Sequence, residues 1–336
     1  MARYAVPLAL VLSALAFGAF GATAGTPCRS AEPIPWRALG AGAWIWPATD
    51  TGERRVHPTG HVAATTVIVH GREALVIDPG PTHRHGVRLK RAVACRFQAQ
   101  VRWIINTHAH AENVLANSAF ADRAASGRTR ILATETTRQM MAQRCANCLA
   151  SMTRRLGEVA LQGTTIVLPT ETLRAGDVLH FGRWRLEVME VRNAHSESDL
   201  MLWDRTRRIL WTGGLVEAGR IPELAQGSLK GWLAVLEQVR GLRPRQLIAA
   251  DGVVAHGAHA HRAIEDAEHY LLGLRDAVAS AIEAGLGAHE IDSKVPQGRL
   301  LRPADAERHA LNLQRAWREL EAAWFERGPS IEQIRR

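Results

Sequence analysis

The amino-acid sequence predicts one α/β domain followed by a helical C-terminal extension. Short apolar segments typical of strands recur along the first three quarters of the 336 residues, and helical patterns separate some of them. Beyond about residue 260 the apolar residues recur only at helical spacing. No internal repeat or low-complexity linker divides the chain, and a hydrophobic content of 46% suffices for a sizeable core. We therefore expect both parts to belong to one folded body.

The predicted strands are short apolar runs, and the predicted helices carry apolar residues on one face. The strands are residues 43–46, 63–69, 74–77, 101–106, 131–133, 165–168, 184–191, 200–203, 208–211 and 246–250. The helices are residues 87–97, 134–156, 228–238, 262–284 and 304–325. Gly157 is expected to end the second helix.

The net charge argues against a nucleic-acid partner. Lys and Arg number 42 against 33 for Asp and Glu, which gives +9, but the excess is spread over the chain. A nucleic-acid-binding protein usually gathers its basic residues on one face or in one run. We expect a solvated, Arg-rich surface instead.

The first 24 residues have the pattern of a secretory signal peptide. Arg3 precedes an apolar run over residues 5–20, and Ala22-Thr23-Ala24 offers small residues for signal peptidase. The mature protein would begin near Gly25, be periplasmic or secreted, and have no membrane span. The alternative is a retained anchor, because the run nearly reaches the length of a spanning helix.

The chain has four cysteines, all beyond the predicted signal: Cys28, Cys95, Cys145 and Cys148. An exported protein meets an oxidising compartment, so disulfides are expected. Cys145 and Cys148 stand one helical turn apart and are predicted to pair, which leaves Cys28 and Cys95 as the other pair. A C-x-x-C sequence can instead be a redox pair or half of a metal site.

Three histidines are candidate metal ligands. His108 and His110 directly follow the predicted strand 101–106, and His195 follows the strand 184–191. With 15 histidines in the chain, an H-x-H pair alone is weak support. Its position at the carboxyl end of a buried strand strengthens the prediction, because α/β sheets place their sites there.

These motifs resemble those of the metallo-β-lactamase superfamily of zinc hydrolases. The segment His108-Ala109-His110-Ala111-Glu112-Asn113 is similar to the family's H-x-H-x-D-H signature, and His195 stands at its next ligand position. Asp78-Pro79-Gly80 is similar to the family's Asp-x-Gly turn, Thr212-Gly213-Gly214 to the turn of its bridging Asp, and Asp251-Gly252 to its last ligand turn. The resemblance implies an αββα sandwich of the metallo-β-lactamase type.

The domain organisation follows from this resemblance. We expect a signal peptide over residues 1–24, an N-terminal segment over 25–39, and the metallo-β-lactamase-like domain over 40–260. Residues 261–336 would form C-terminal helices packed on the same domain. Motifs such as Cys145-x-x-Cys148 and Gly231-Trp232 further resemble the quinoprotein relay system zinc metallohydrolases, which implies an association with a periplasmic quinoprotein system.

The sequence departs from the family pattern at the second metal position. The first position keeps His108, His110 and His195, a three-His set that suits Zn²⁺. The second has Glu112, Asn113 and Asp251, and Gly214 has no side chain where the bridging carboxylate is expected. We therefore predict one zinc ion per chain, with Glu112 and Asp251 as additional, weaker metal ligands and as the catalytic carboxylates.

Together these observations predict an exported zinc-dependent hydrolase with one metal ion. It would act on an ester, thioester or amide carbonyl of a small-molecule substrate. The alternative is a catalytically inactive binding or accessory protein of the same fold, in which Glu112 and Asp251 are remnants of a lost site. Metal content and turnover distinguish the two hypotheses.

Overall fold

The structure is a computed structural model that describes residue 28 and residues 33–49, 60–291 and 305–327. The chain divides into two units, Met1–Ser30 and Ala31–Arg336, and the architecture below belongs to the second. The predicted signal segment, residues 1–24, lies outside the described residues. Among the helices that are described, none is long and apolar enough to cross a membrane.

The first sheet has seven strands in the order in which they occur in the chain. The first four pair antiparallel and the later ones pair parallel, through β4–β5, β5–β6 and β6–β7. The strands are β1 (Arg37–Gly40), β2 (Ala43–Trp46), β3 (Thr65–His70), β4 (Glu73–Ile77), β5 (Gln100–Ile105), β6 (Arg130–Thr134) and β7 (Glu171–Leu173).

The second sheet has six strands in the order β13-β12-β11-β10-β9-β8. Only β11 and β12 pair parallel. The strands are β8 (Val178–Phe181), β9 (Trp184–Arg192), β10 (Ser198–Asp204), β11 (Ile209–Trp211), β12 (Gln246–Ile248) and β13 (Val254–His256).

Helices cover the outer faces of both sheets. They are α1 (His83–Phe97), α2 (Ala111–Val114), α3 (Ala121–Ala125), α4 (Glu135–Leu156), α5 (Glu158–Leu161), α6 (Leu229–Leu242), α7 (Ala258–Glu283) and α8 (Ala306–Arg327). One apolar cluster joins the facing sides of the two sheets, a second joins the first sheet to α1, and a third joins the second sheet to α6, α7 and α8. These layers confirm the predicted αββα sandwich.

The C-terminal helix α8 is part of the main core. Leu313, Ala316, Trp317 and Leu320 on α8 are buried in the same cluster as Leu271 on α7 and the apolar face of α6. At the other end, β1 pairs with β2, so the predicted boundary at residue 40 falls at the end of a paired strand.

The predicted strand over residues 165–168 is wrong, since the structure has no regular element there. The Val167 carbonyl accepts a hydrogen bond from the Asn117 side chain at 3.1 Å, and the first sheet continues instead through β7. Four observed strands, β1, β7, β8 and β13, were not predicted. Each has only three or four residues, which is too short for a clear alternating pattern.

The predicted disulfide between Cys145 and Cys148 is also wrong for this structure: both are free thiols on α4. Side chains three residues apart on a helix have Cβ atoms about 5–6 Å apart, whereas a disulfide needs about 3.5–4.5 Å. A regular helix therefore holds the two sulfurs near each other without joining them. Cys28 and Cys95 are both disulfide-bonded.

Candidate metal centre

Three histidine side chains converge where the two sheets meet. His108 and His110 follow β5 of the first sheet, and His195 lies in the turn between β9 and β10 of the second. The Leu200 backbone N–H donates to the Thr107 carbonyl at 2.8 Å and ties the two loops together. One ligand atom from each imidazole lies within 4.8 Å of the others. His110 Nδ1 and His195 Nε2 are 3.0 Å apart, a separation at which a single cation can bind both nitrogens.

A hydrogen-bonded relay orients His108. Asp78, at the end of β4, accepts hydrogen bonds from the Thr107 backbone N–H at 2.9 Å and the Thr107 hydroxyl at 2.7 Å. The same hydroxyl lies 2.8 Å from His108 Nδ1. When Nδ1–H donates to this oxygen, Nε2 keeps its lone pair for a metal ion.

Burial sets the charge state of this relay. Burial raises the pKa of Asp78 to about 7, against the hydrogen bonds from Thr107 and Asn113 that lower it. Burial, followed by the nearby His110, lowers the pKa of His108 to about 3. His108 is therefore neutral at physiological pH, which is the form that binds metal.

The His195 loop is held from two sides. Asp199 accepts hydrogen bonds from the Ser196 backbone N–H at 2.8 Å and the Ser196 hydroxyl at 3.0 Å. On the other side the Trp232 ring of α6 packs edge-on against the His195 ring, with 5.2 Å between centroids. Trp232 is itself fixed, because its Nε1–H donates to the Leu215 carbonyl at 3.0 Å.

Gly214 leaves the space that the His195 ring occupies. A Cβ atom at residue 214 would lie 2.3 Å from His195 Cδ2 and 2.5 Å from His195 Nε2, both too close for any real contact. A side chain at this position and the observed His195 ring are therefore mutually exclusive. The family's bridging carboxylate therefore cannot stand at residue 214 while the ring of His195, a candidate metal ligand, keeps this position.

The pocket over the three histidines has a wall of charged side chains. Glu112, Glu217 and Glu223 line it together with Arg220 and Arg308. Arg308 Nη1 donates to Glu217 at 2.8 Å and to the Ile221 carbonyl at 2.7 Å, and its Nη2 lies 3.6 Å from Glu223. The Arg220 side chain is only 5% exposed and lies 3.6 Å from Glu217. Buried arginines on this wall are thus balanced by carboxylates.

Sequence reasoning missed Glu217, Glu223 and Arg308. Arg308 lies on α8, about 90 residues beyond the glutamates that it contacts. Nothing in the local sequence around Glu217 and Glu223 marks them as part of a pocket.

The two carboxylates predicted as further metal ligands do not join the three imidazoles. Among the described residues, the group of ligand atoms within 4.8 Å of one another contains neither Glu112 nor Asp251. Glu112 does line the pocket. Asp251 is buried and its Oδ1 accepts the Val253 backbone N–H at 3.1 Å, so it closes the turn between β12 and β13. Asn113 lines the pocket and also donates a hydrogen bond to Asp78.

An αββα sandwich with three imidazoles converging between its sheets defines a class of metal-binding proteins that includes hydrolases. The sequence profile of the metallo-beta-lactamase superfamily matches residues 58–250, more than half of the chain. The chain belongs to this superfamily.

Solved structures show the same fold at low sequence identity. A metallo-beta-lactamase from Pontibacter korlensis is similar with a TM-score of 0.56 and 15% identity, over 71% of this chain and 99% of that one. A metallo-beta-lactamase from Hirschia baltica is similar with a TM-score of 0.51 and 16% identity, over 71% of this chain and 98% of that one. No curated protein sequence matches significantly.

Proposed function

We propose that the protein is an exported zinc-dependent hydrolase with one zinc ion per chain, acting on an ester, thioester or amide carbonyl. The observation that carries the proposal is the convergence of His108, His110 and His195 in a space that excludes a side chain at Gly214. Three imidazoles are a donor set that suits Zn²⁺ and leaves a coordination position open. Zinc in such a set lowers the pKa of water and polarises a carbonyl.

Glu112 is the carboxylate that we assign to proton transfer. It lines the pocket beside His108 and His110, whereas Asp251 bonds to the backbone of its own turn. A carboxylate within hydrogen-bond reach of the attacking water or of the leaving group can act as general base or acid. Asp78 and Asp199 hold the two histidine loops in place and do not line this pocket.

Export and a quinoprotein association belong to the same proposal. Export is supported by the signal-like sequence of residues 1–24 and by the disulfide-bonded Cys28 and Cys95. The quinoprotein association is supported by shared motifs alone, Gly231-Trp232 among them. Fractionation of cells that express the full chain tests export: the mature protein should lack residues 1–24 and leave the cytoplasm.

The central experiment combines metal analysis with turnover. Purified protein should contain about one zinc per chain, with anomalous scattering at the zinc edge between His108, His110 and His195. Turnover is then measured on a panel of esters, thioesters and lactams. Glu112→Gln should keep the zinc and lose most of the turnover, whereas exposed Glu158→Gln should change neither.

Each contrary result has a definite meaning. Two tightly held zinc ions, or none, would contradict the mononuclear site. One zinc without turnover on any substrate would favour the non-catalytic accessory protein. Full turnover by Glu112→Gln would remove Glu112 from the mechanism.

A further inference from the structure

Helix α4 contacts both loops that carry the candidate metal ligands, the His195 loop and the loop of His108 and His110. Arg144 forms an ion pair with Glu197 in the His195 loop. At the start of the helix, the Thr134 hydroxyl lies 2.8 Å from the Ser198 hydroxyl, and Thr137 Oγ1 donates to the Ser198 carbonyl at 3.3 Å. A change in the shape of α4 would therefore reach the His195 loop.

The two free thiols of α4 lie on its contact with the other loop. Cys145 is fully buried and packs in one apolar cluster with Ala109 and Val114. Cys148 packs in the adjoining cluster with Ala111 and Leu115. Ala109 and Ala111 are the chain neighbours of His110, so the thiol pair supports this ligand from both sides.

The thiols interact with each other, and the hydrogen bond between them favours the thiolate form of Cys148. The Cys145 thiol donates a hydrogen bond to Cys148, which lowers the pKa of Cys148 to about 7 despite its partial burial. The same hydrogen bond, together with burial, raises the pKa of Cys145. Cys148 is therefore partly a thiolate at neutral pH, and the thiolate is the nucleophilic form.

We propose that Cys145 and Cys148 are an oxidisable dithiol, and that conversion of this dithiol to a disulfide loosens the metal site. The Cys148 thiolate attacks one sulfur of a small-molecule disulfide, the bond between its two sulfurs breaks, and one thiolate leaves. Cys145 then loses its proton and attacks Cys148 Sγ, which releases the second thiolate. The balance is two protein thiols and one small disulfide giving one protein disulfide and two small thiols.

The link to the metal site is geometric. Bringing the two Cβ atoms from about 5–6 Å to the 3.5–4.5 Å of a disulfide distorts the helical turn that contains them. That turn packs against Ala109 and Ala111, so the distortion shifts the backbone on both sides of His110. A bridge strained in this way is also more easily reduced than a relaxed one.

The test oxidises the full mature protein with oxidised glutathione and maps its disulfides by peptide mass spectrometry. We expect a bridge between Cys145 and Cys148, a loss of zinc affinity of about tenfold by chelator competition, and recovery with dithiothreitol. Cys148→Ser should keep its zinc affinity under the same treatment. In zinc-free protein, hydrogen exchange over residues 109–115 should accelerate on oxidation of the wild type alone.

The exchange measurement needs neither bound zinc nor turnover, so failure of the proposed hydrolase function would not affect it. The proposal is overturned if no bridge forms, if a stable glutathione adduct is the only product, or if the bridge forms and both zinc affinity and exchange stay unchanged. If Cys148→Ser does not fold, Cys145→Ser replaces it, and reversal by dithiothreitol is judged only where peptide mapping shows Cys28 and Cys95 still bonded.

Discussion

Substituting Gly214 by Ala should weaken metal binding through a steric clash with one imidazole ring. The added Cβ would lie 2.3 Å from His195 Cδ2, and contacts shorter than 3.0 Å essentially never occur, so the ring must retreat by at least about 0.7 Å. Metal–nitrogen bonds tolerate about 0.2 Å. The Trp232 ring also packs against His195, with 5.2 Å between centroids, and limits the positions that the His195 ring can take. We expect zinc affinity to fall by about 100-fold.

The assay is competition for zinc against a chromophoric chelator, with the Gly241→Ala variant as the control. Gly241 lies in α6, and a Cβ there meets nothing within 4 Å. Gly214→Asp restores the carboxylate that the family pattern expects, and on this reasoning it too loses zinc and does not gain a second ion. Wild-type affinity in Gly214→Ala would refute the assignment of His195 to this space.

The remaining predictions concern the support of the site. Gly231→Ala should lower the free energy of unfolding in urea by about 2–3 kcal/mol, since its Cβ would lie 1.7 Å from the Asn193 carbonyl oxygen, and Gly273→Ala, with open space around it, should not. Asp78 has a folded pKa of about 7 against an ordinary 3.8, so its contribution to stability is complete below pH 4 and is lost as pH rises through 7. In metal-free protein, Asp78→Asn should remove a slope of up to about 1.4 kcal/mol per pH unit over that window, and equal slopes would contradict the buried, protonated carboxyl. Asp251→Asn should keep most of the turnover, and its loss would restore Asp251 to the mechanism.

The sequence was informative about the fold where apolar residues enter the core of a regular strand or helix. Strand β10 is buried along its whole length and was predicted from its apolar residues, as was helix α4. The segment 165–168 failed because its apolar residues pack beside Asn117 and do not pair with a strand. A short apolar run does not show whether its backbone will hydrogen-bond to a neighbouring strand or to a side chain.

The site was predictable where its residues follow a predicted strand, as His108, His110 and His195 do. The pair His108 and His110 follows one strand, and a single motif showed it. The hydrogen bond of Asp251 to the Val253 backbone was not predictable, because the position of Asp251 in the family pattern said nothing of the turn around it. The contact of Arg308 with Glu217 joins distant parts of the chain and depends on how α8 packs, which no local pattern specifies.

Three glycines pack against the His195 loop, and each leaves space that a side chain would fill. A Cβ at Gly214 would clash with the His195 ring. A Cβ at Gly227 would lie 2.1 Å from the Ala194 carbonyl oxygen, and one at Gly231 would clash with the Asn193 carbonyl. The loop therefore packs more closely against its surroundings than any side chain at these positions would permit. Because all three positions bear on the same loop, we infer that glycine at residue 214 belongs to a packing arrangement that fixes the place of the His195 ring.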